Sequence, residues 1–404
     1  MTGPVGSTPV TGPGPAVLLN GEPAKLTDRP LKAGGQAAVF PVISNEGIVV
    51  KLYREPPGAD QERRLERMLT MAPLGGRPTH SSQPPELAWP TQVARSPSGQ
   101  FLGYAMPKFG EPDHVQLVAL FGRSTRLRHF PQRADWRFLL GISWNLAFMA
   151  ARMHQEHLVI GDFSSNNVVV DGDGFVTFLD CDSIAFTDPV TSEYFPCLMQ
   201  TADYSAPERQ KGSPASPATD DFALAVLIYQ LLTGGNHPFG GVRRDSDSEA
   251  TVADNIAASC SYVVLPQQVI VPRGVIDPVV LPPALLELAR AAFGAGVMNP
   301  AARPTARDWL RALDTERSRV QICRDRPRHT YGSHLQGCPW CIRIAATGQD
   351  LFNEEPVLAS AQPFPPAQGG GLSLDPTTRT ALIVVGIAAA VLVLLALLVL
   401  LAGA

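Results

Sequence analysis

Three oxygen-bearing side chains stand close together in "VIGDFSSNNVVVDGDGFVTFLDCDS", residues 159–183: Asp162, Asn167 five residues on, and Asp180 eighteen on. Two carboxylates and a carboxamide are donors that suit a hard divalent cation, with one carboxylate left over as a candidate base. A second constellation lies in "CRDRPRHTYGSHLQGCPWC", residues 323–341, where Cys338 and Cys341 flank Pro339-Trp340. Thiolates at that spacing can share one tetrahedral Zn²⁺, with Cys323 and one histidine, His329 or His334, completing the set. A redox CxxC is the rival reading, but no thioredoxin-like βαβ pattern surrounds it. With few apolar residues nearby, such a small module needs its metal to fold.

These groups must be positioned by the elements around them. "NNVVVDGDGFVTFLD" has the pattern of a β-hairpin, two β-branched runs joined by a Gly/Asp turn, which would bring Asn167 and Asp180 side by side with Asp162 on the preceding loop. From 27 to 106 the pattern is strand-like, with "VFPVIS" and "GIVVKLY" as short runs and one amphipathic helix through "DQERRLERMLTM". From 107 to 317 helices dominate; "WRFLLGISWNLAFMAARMHQEH" and "DDFALAVLIYQLLTG" carry the dense apolar stripes of buried helices, the second closed by Gly234. Residues 1–26, rich in Gly, Pro and Thr, read as a disordered leader without a secretory signal. Residues 318–346 hold the knuckle, and 347–379 form a Pro/Gly-rich tether. Residues 380–402 contain no charge and are long enough to cross a bilayer core of roughly 30 Å. They are expected to form one transmembrane helix ending the chain, which places a single-pass protein in the cell membrane with its globular part cytoplasmic. The chain has 404 residues, room for more than one domain. Its formal net charge of -4, with no basic helix, argues against nucleic acid as a partner. Scattered Cys181, Cys197 and Cys260 read as reduced, buried thiols. His154, His237 and the methionines at helical spacing read as structural.

The order of these features resembles the protein kinase superfamily over residues 27–317. "GDFSSNN" and "LDCDS" match its catalytic-loop and metal-binding segments, "LKAGGQAAVFPV" its glycine-rich loop and "VVKLY" its lysine strand. "GYAMPK" (103–108) resembles the hinge, "YSAPE" (204–208) the end of the activation segment. Asp220 and Arg303 stand where the family has a buried helix Asp and an Arg that pairs with Glu208. The overall pattern is most similar to bacterial atypical serine/threonine kinases with "DCDS" and a CPWC zinc tail.

The resemblance implies an α+β, bilobal fold with a β-rich N-lobe (27–106) carrying one αC helix and an α-rich C-lobe (107–317), followed by a small zinc knuckle and the transmembrane helix. It implies an ATP-dependent enzyme that phosphorylates protein Ser/Thr hydroxyls. Asp162 and Lys51 would be catalytic. Gly34, Val39, Lys51, Glu66, Met106, Asn167 and Asp180 would contact ATP and its metal, with Mg²⁺ on Asn167 and Asp180. Lys51 would touch the α- and β-phosphates and pair with a helix glutamate; Glu62 and Glu66 both qualify, and Glu66 leads into the apolar end of the helix. For zinc, Cys323, His329, Cys338 and Cys341 fit the family pattern, while His334 is chemically equal. A homodimer stays open. Departures from the family are Lys32 and Ala37 for glycines, Ile160-Gly161 for His-Arg, Ser164 for a lysine, and Asp182, a further metal ligand or a turn residue. They keep two alternatives in play: a nucleotide-binding pseudokinase scaffold, and a small-molecule kinase of the aminoglycoside or choline type.

Overall fold

Asn20 and Gly21 turn the chain at φ 49° and 91° between two apolar runs, joining β1 (Pro13–Leu19) to β2 (Glu22–Thr27) in an antiparallel hairpin. Positive φ at both central residues is what a two-residue hairpin turn demands, and Asn-Gly supplies it at little cost. The computed structural model describes residues 13–71, 87–245 and 250–353. Residues 13–26 are therefore sheet rather than leader, because Val17, Leu19 and Leu26 bury their side chains in the N-terminal core; residues 1–12 of the expected leader lie outside the described residues.

The sheet continues through β3 (Lys32–Ala33), β4 (Ala37–Val42), β5 (Asn45–Tyr53), β6 (Gln92–Arg95) and β7 (Phe101–Pro107). Strand order is β2-β1-β6-β7-β5-β4-β3, and an added β2–β4 pairing curls the sheet back on itself. Lys51 lies opposite Val39 on one side and Tyr104 on the other. Helix α1 (Ala59–Thr70) packs against this sheet through Leu65 and Met68.

Past the sheet, β8 (His114–Gln116) joins the expected hairpin, β9 (Val168–Asp171) and β10 (Val176–Phe178). Asp171 Oδ1 accepts from the amides of Asp173 and Phe175 to close the turn. The helical part is built on α2 (Arg123–His129), α3 (Trp136–Gln155), the short α4 (Pro207–Gln210) and α5 (Pro217–Leu232). Ser216 and Thr219 form a capping box ahead of α5, which is buried along nearly its whole length. After the helix Ala306–Arg317, a small hairpin (Val320–Ile322 with Thr330–Gly332) and the helix Pro339–Thr347 dock on α3. There the Trp340 ring lies 6.5 Å from Trp136 and 5.0 Å from Phe352. Phe352 is buried, so the chain from 347 to 353 is part of this packed module and not tether; 354–379 lie outside the described residues.

The expected single-pass membrane location is corrected. Among the described residues no helix is long and apolar enough to cross a membrane. The 20-residue α3 is long enough in principle but carries Arg137, Arg152 and His154. The segment 380–402, on which that expectation rested, lies outside the described residues.

Candidate active site and metal centre

The hairpin does bring its ends together: the Leu179 amide donates to the Asn167 carbonyl at 2.7 Å. Asn167 Nδ2 donates to Asp162 Oδ2 at 2.9 Å and to the Asp162 carbonyl at 3.0 Å. Asp162 Oδ1 accepts from the Thr201 hydroxyl at 2.7 Å, tying the loop to the segment that leads into "YSAPE". The loop itself hangs on Asp220, whose buried carboxylate accepts from the amides of Ile160 (2.7 Å) and Gly161 (2.8 Å) and faces His154 Nε2 at 3.0 Å. Gly161 has φ +76°, and a Cβ there would collide with the Cys197 side chain. A larger residue is excluded, which is the physical reason for one of the departures from the kinase pattern.

Lys51 reaches the same place from β5, but its partner is not the expected one. Lys51 Nζ lies 2.7 Å from Asp182 Oδ1 and 3.3 Å from Asp180 Oδ1. Glu66 points elsewhere: Glu62 and Glu66 meet Arg95 at 2.6 Å and 3.3 Å, and the Glu66 side chain is 52 % exposed. The pairing of Lys51 with Glu66 is thus corrected, since Arg95 on β6 offers those carboxylates a nearer cation. Asp182 is buried and also accepts from the hydroxyls of Tyr53 (2.7 Å) and Tyr104 (2.8 Å). Burial alone would raise the Asp182 pKa, but the Lys51 charge and these hydrogen bonds hold it below the usual carboxylate range. Burial would lower Lys51, yet Asp182 and Asp180 together raise it, so the pair is ionised. Burial and the Asp182 charge push the Tyr104 phenol well up, keeping it a donor. Asp180, in a left-handed conformation at φ 54°, is the open member of the group, its side chain 39 % exposed.

Of the remaining expected nucleotide contacts, Gly34 sits in the β3–β4 turn, where a Cβ would find only ordinary contact at 3.7 Å. Val39 is half-buried across from Lys51. Met106 is a buried strand residue in β7, opposite Val49.

Sequence reasoning missed Tyr53, Tyr104, Thr201 and Arg64. Tyr53 was accessible in principle, since it stands two residues from Lys51 on the same strand face. Arg64 was not. Its buried guanidinium donates to the carbonyls of Ile184 (2.7 Å) and Pro196 and lies beside the stacked rings of Phe186 and Phe195. Arg209 reaches the carbonyls of Cys197 (3.3 Å) and Met199 (3.0 Å). Two arginines thereby hold the 184–199 segment by its backbone. At the far end Arg303 grips Glu208 with both nitrogens, at 2.6 and 2.8 Å.

The second constellation also converges. Cys323, His329, Cys338 and Cys341 place their ligand atoms within 4.8 Å of one another. The measured edges are 3.7 Å for Cys323–Cys341 Sγ and 3.5 Å from His329 Nδ1 to each of Cys338 and Cys341. A tetrahedron with Zn–S and Zn–N arms of ordinary length has edges of about 3.8 and about 3.6 Å, so the donor set fits that ion. His334 lies outside, its Nε2 near the Val279 carbonyl at 3.2 Å. His329 Nε2 is 2.9 Å from Asp350 Oδ1, the outer partner that fixes the ring and its tautomer.

No protein-family model matches the chain. Over 327 residues it is 30% identical to a protein named protein kinase YegI in Escherichia coli O157:H7, a match that covers 78% of this chain and 48% of that protein. The counterpart in Escherichia coli strain K12 is 29% identical over the same shares. Over most of its length the chain is similar to proteins named protein kinase. The chain spans about half the length of those two proteins. It is also 26% identical over 162 residues to the serine/threonine-protein kinase PSK1 of Saccharomyces cerevisiae, covering 39% of this chain and 11% of that protein. Among solved structures, the ROP18 kinase domain in complex with AMP-PNP and sucrose matches with a TM-score of 0.47 and 17% identity, covering 76% of this chain and 83% of that one.

Proposed function

We propose that the chain transfers the γ-phosphoryl group of ATP to a serine or threonine hydroxyl of a protein. The observation that carries this reading is Asp162, held by Asn167 and Thr201 at one end of the hairpin whose other end carries Asp180, the carboxylate that meets Lys51 at 3.3 Å. Phosphoryl transfer asks mainly for positioning and charge neutralisation. Lys51 would hold the α- and β-phosphates, and Asp162 would orient the attacking hydroxyl and accept its proton. Asp180 and Asn167 would hold Mg²⁺, which supplies charge neutralisation at the phosphate oxygens when bound; both offer the hard oxygen donors that such an ion takes. Cys323, His329, Cys338 and Cys341 would hold a structural Zn²⁺. The activation segment, fixed by Arg64 and Arg209 through its backbone, favours a protein acceptor and a kinase that needs no phosphate on that segment.

The test is transfer of labelled γ-phosphate by the purified full chain with Mg²⁺, to itself and to a generic protein acceptor. Asp162→Asn and Asp180→Asn are each expected to lower turnover by about 10²–10⁴-fold. Turnover on a metabolite panel with none on protein would select the small-molecule reading instead; ATP binding without transfer would select the scaffold.

A further inference from the structure

The geometry points to Asp182, and not a glutamate of α1, as the positioning residue that holds Lys51 for the nucleotide phosphates, which frees the lysine from the position of α1. The nucleotide part of this inference rests on the phosphotransfer reading; the Lys51–Asp182 pair does not. Asp182 Oδ1 takes both Lys51 Nζ (2.7 Å) and the Tyr104 hydroxyl (2.8 Å), and Oδ2 takes the Tyr53 hydroxyl (2.7 Å). The residue is only 7% exposed, so its lone pairs face the protein interior. A metal would have to displace three donors to reach them. Asp180, two residues earlier, keeps the open face instead. One short turn, 180–182, therefore supplies the carboxylate offered to a cation and the carboxylate that aims the lysine.

Helix α1 meets this network by hydrogen bond through an uncharged contact, Gln61 Nε2 donating to the Tyr53 hydroxyl at 2.8 Å and Tyr53 donating to Asp182, while the Arg64 charge acts on Asp182 only from a distance. Its two acidic residues near the strand are occupied by Arg95. A neutral hydrogen bond in series is a weaker coupling than a direct ion pair, so displacing α1 leaves the Lys51 charge partnered. Meanwhile Arg64 fastens α1 to the carbonyls of Ile184 and Pro196, giving the helix a different duty, that of a post for the activation segment.

The experiment is carried out on the full chain in two arms. The first measures acylation of Lys51 by a small amine-reactive ester, without nucleotide, by mass spectrometry of the Lys51 peptide. Asp182→Asn takes away the 2.7 Å carboxylate that ties down Lys51 Nζ, so it is expected to accelerate labelling at least about threefold, while Glu66→Gln stays within about 1.5-fold of the parent. The second arm measures the KM for ATP, expected to rise about tenfold in Asp182→Asn and to change less than about twofold in Glu66→Gln. Acceleration by Glu66→Gln, or unchanged labelling in Asp182→Asn, overturns the inference. If the parent turns over no ATP, the phosphotransfer reading fails while the labelling arm still judges the pair. Should Asp182→Asn fail to fold by circular dichroism, Asp182→Glu replaces it: it keeps the charge but displaces the carboxylate by one methylene from Lys51 Nζ, and labelling that departs at least about twofold from the parent supports the pair, whereas a parental rate overturns it.

Discussion

The cluster around Lys51 and the Cys/His centre are both groups of convergent donors, yet they are built in opposite ways. The Cys/His centre draws four ligands from 19 residues of chain, 323–341, and buries three of them. The cluster around Lys51 draws Lys51, Tyr53 and Tyr104 from two strands, Asp162 and Asn167 from a loop, and Asp180 and Asp182 from a turn. It leaves Asp180 half open. A closed soft-donor set is what a structural ion needs, whereas a chemical site must keep a face for its substrate. The difference also separates their expected energetics: the first is a donor set that an ion would hold together, the second is a network of charges that neutralise one another without one.

The sharpest way to break this comparison is to take the metal away. Cys338→Ser or His329→Ala is expected to abolish stoichiometric zinc and lower stability by more than about 3 kcal/mol, because Trp340 and Phe352 are anchored on α3 through this module. Metal content by elemental analysis and thermal unfolding with and without chelator check it, and His334→Ala is expected to change neither. Next in size, Asp220→Ala removes the acceptor of the Ile160 and Gly161 amides and is expected to cost about 2–4 kcal/mol in denaturant unfolding, with no loss of zinc. Equal damage to zinc content would mean the two regions are not separable. Gly161→Ala forces a Cβ against Cys197 at positive φ and is expected to destabilise by about 1–3 kcal/mol; adding Cys197→Ala is expected to restore part of that in a double-mutant cycle.

The smallest expected effect is a pH dependence beside the loop. Burial pushes the Asp221 carboxyl up to about 7, while its Oδ1 accepts from the Ala306 amide at 2.8 Å. A folded pKa above the unfolded one means the native state keeps a proton that the unfolded chain has released. The contribution is fully present below about pH 4 and is lost as pH rises through about 7. Asp221→Asn keeps the acceptor without the charge, so its stability relative to the parent is expected to grow by about 1–3 kcal/mol between pH 4 and 7 and then level off. A flat difference across that range would show that the parental carboxyl is ionised throughout.

Much of the architecture was legible because it is local. The Gly/Asp turn in "VVVDGDGFV" and the β-branched runs beside it specify a hairpin wherever they occur, and the CPWC spacing presents two thiolates to one point. The apolar stripes of α3 and α5 likewise mark buried helices. One local signal was passed over: Asn20-Gly21 between "AVLL" and "EPAKL" is a hairpin turn, hidden by the Gly/Pro-rich residues that precede it.

What the amino-acid order determined by itself was which donor types exist and which short elements carry them: Asp162, Asn167 and Asp180 around a hairpin, Lys51 in a strand, three cysteines and a histidine in a knuckle. What only the tertiary structure decided was who partners whom between elements. Arg95, far along the chain from α1, claims Glu62 and Glu66, and the buried Asp182 is then the carboxylate left for Lys51. Periodicity places a charge on a face, but a buried charge takes the nearest opposite charge that packing leaves available, and that choice is made by elements distant in sequence.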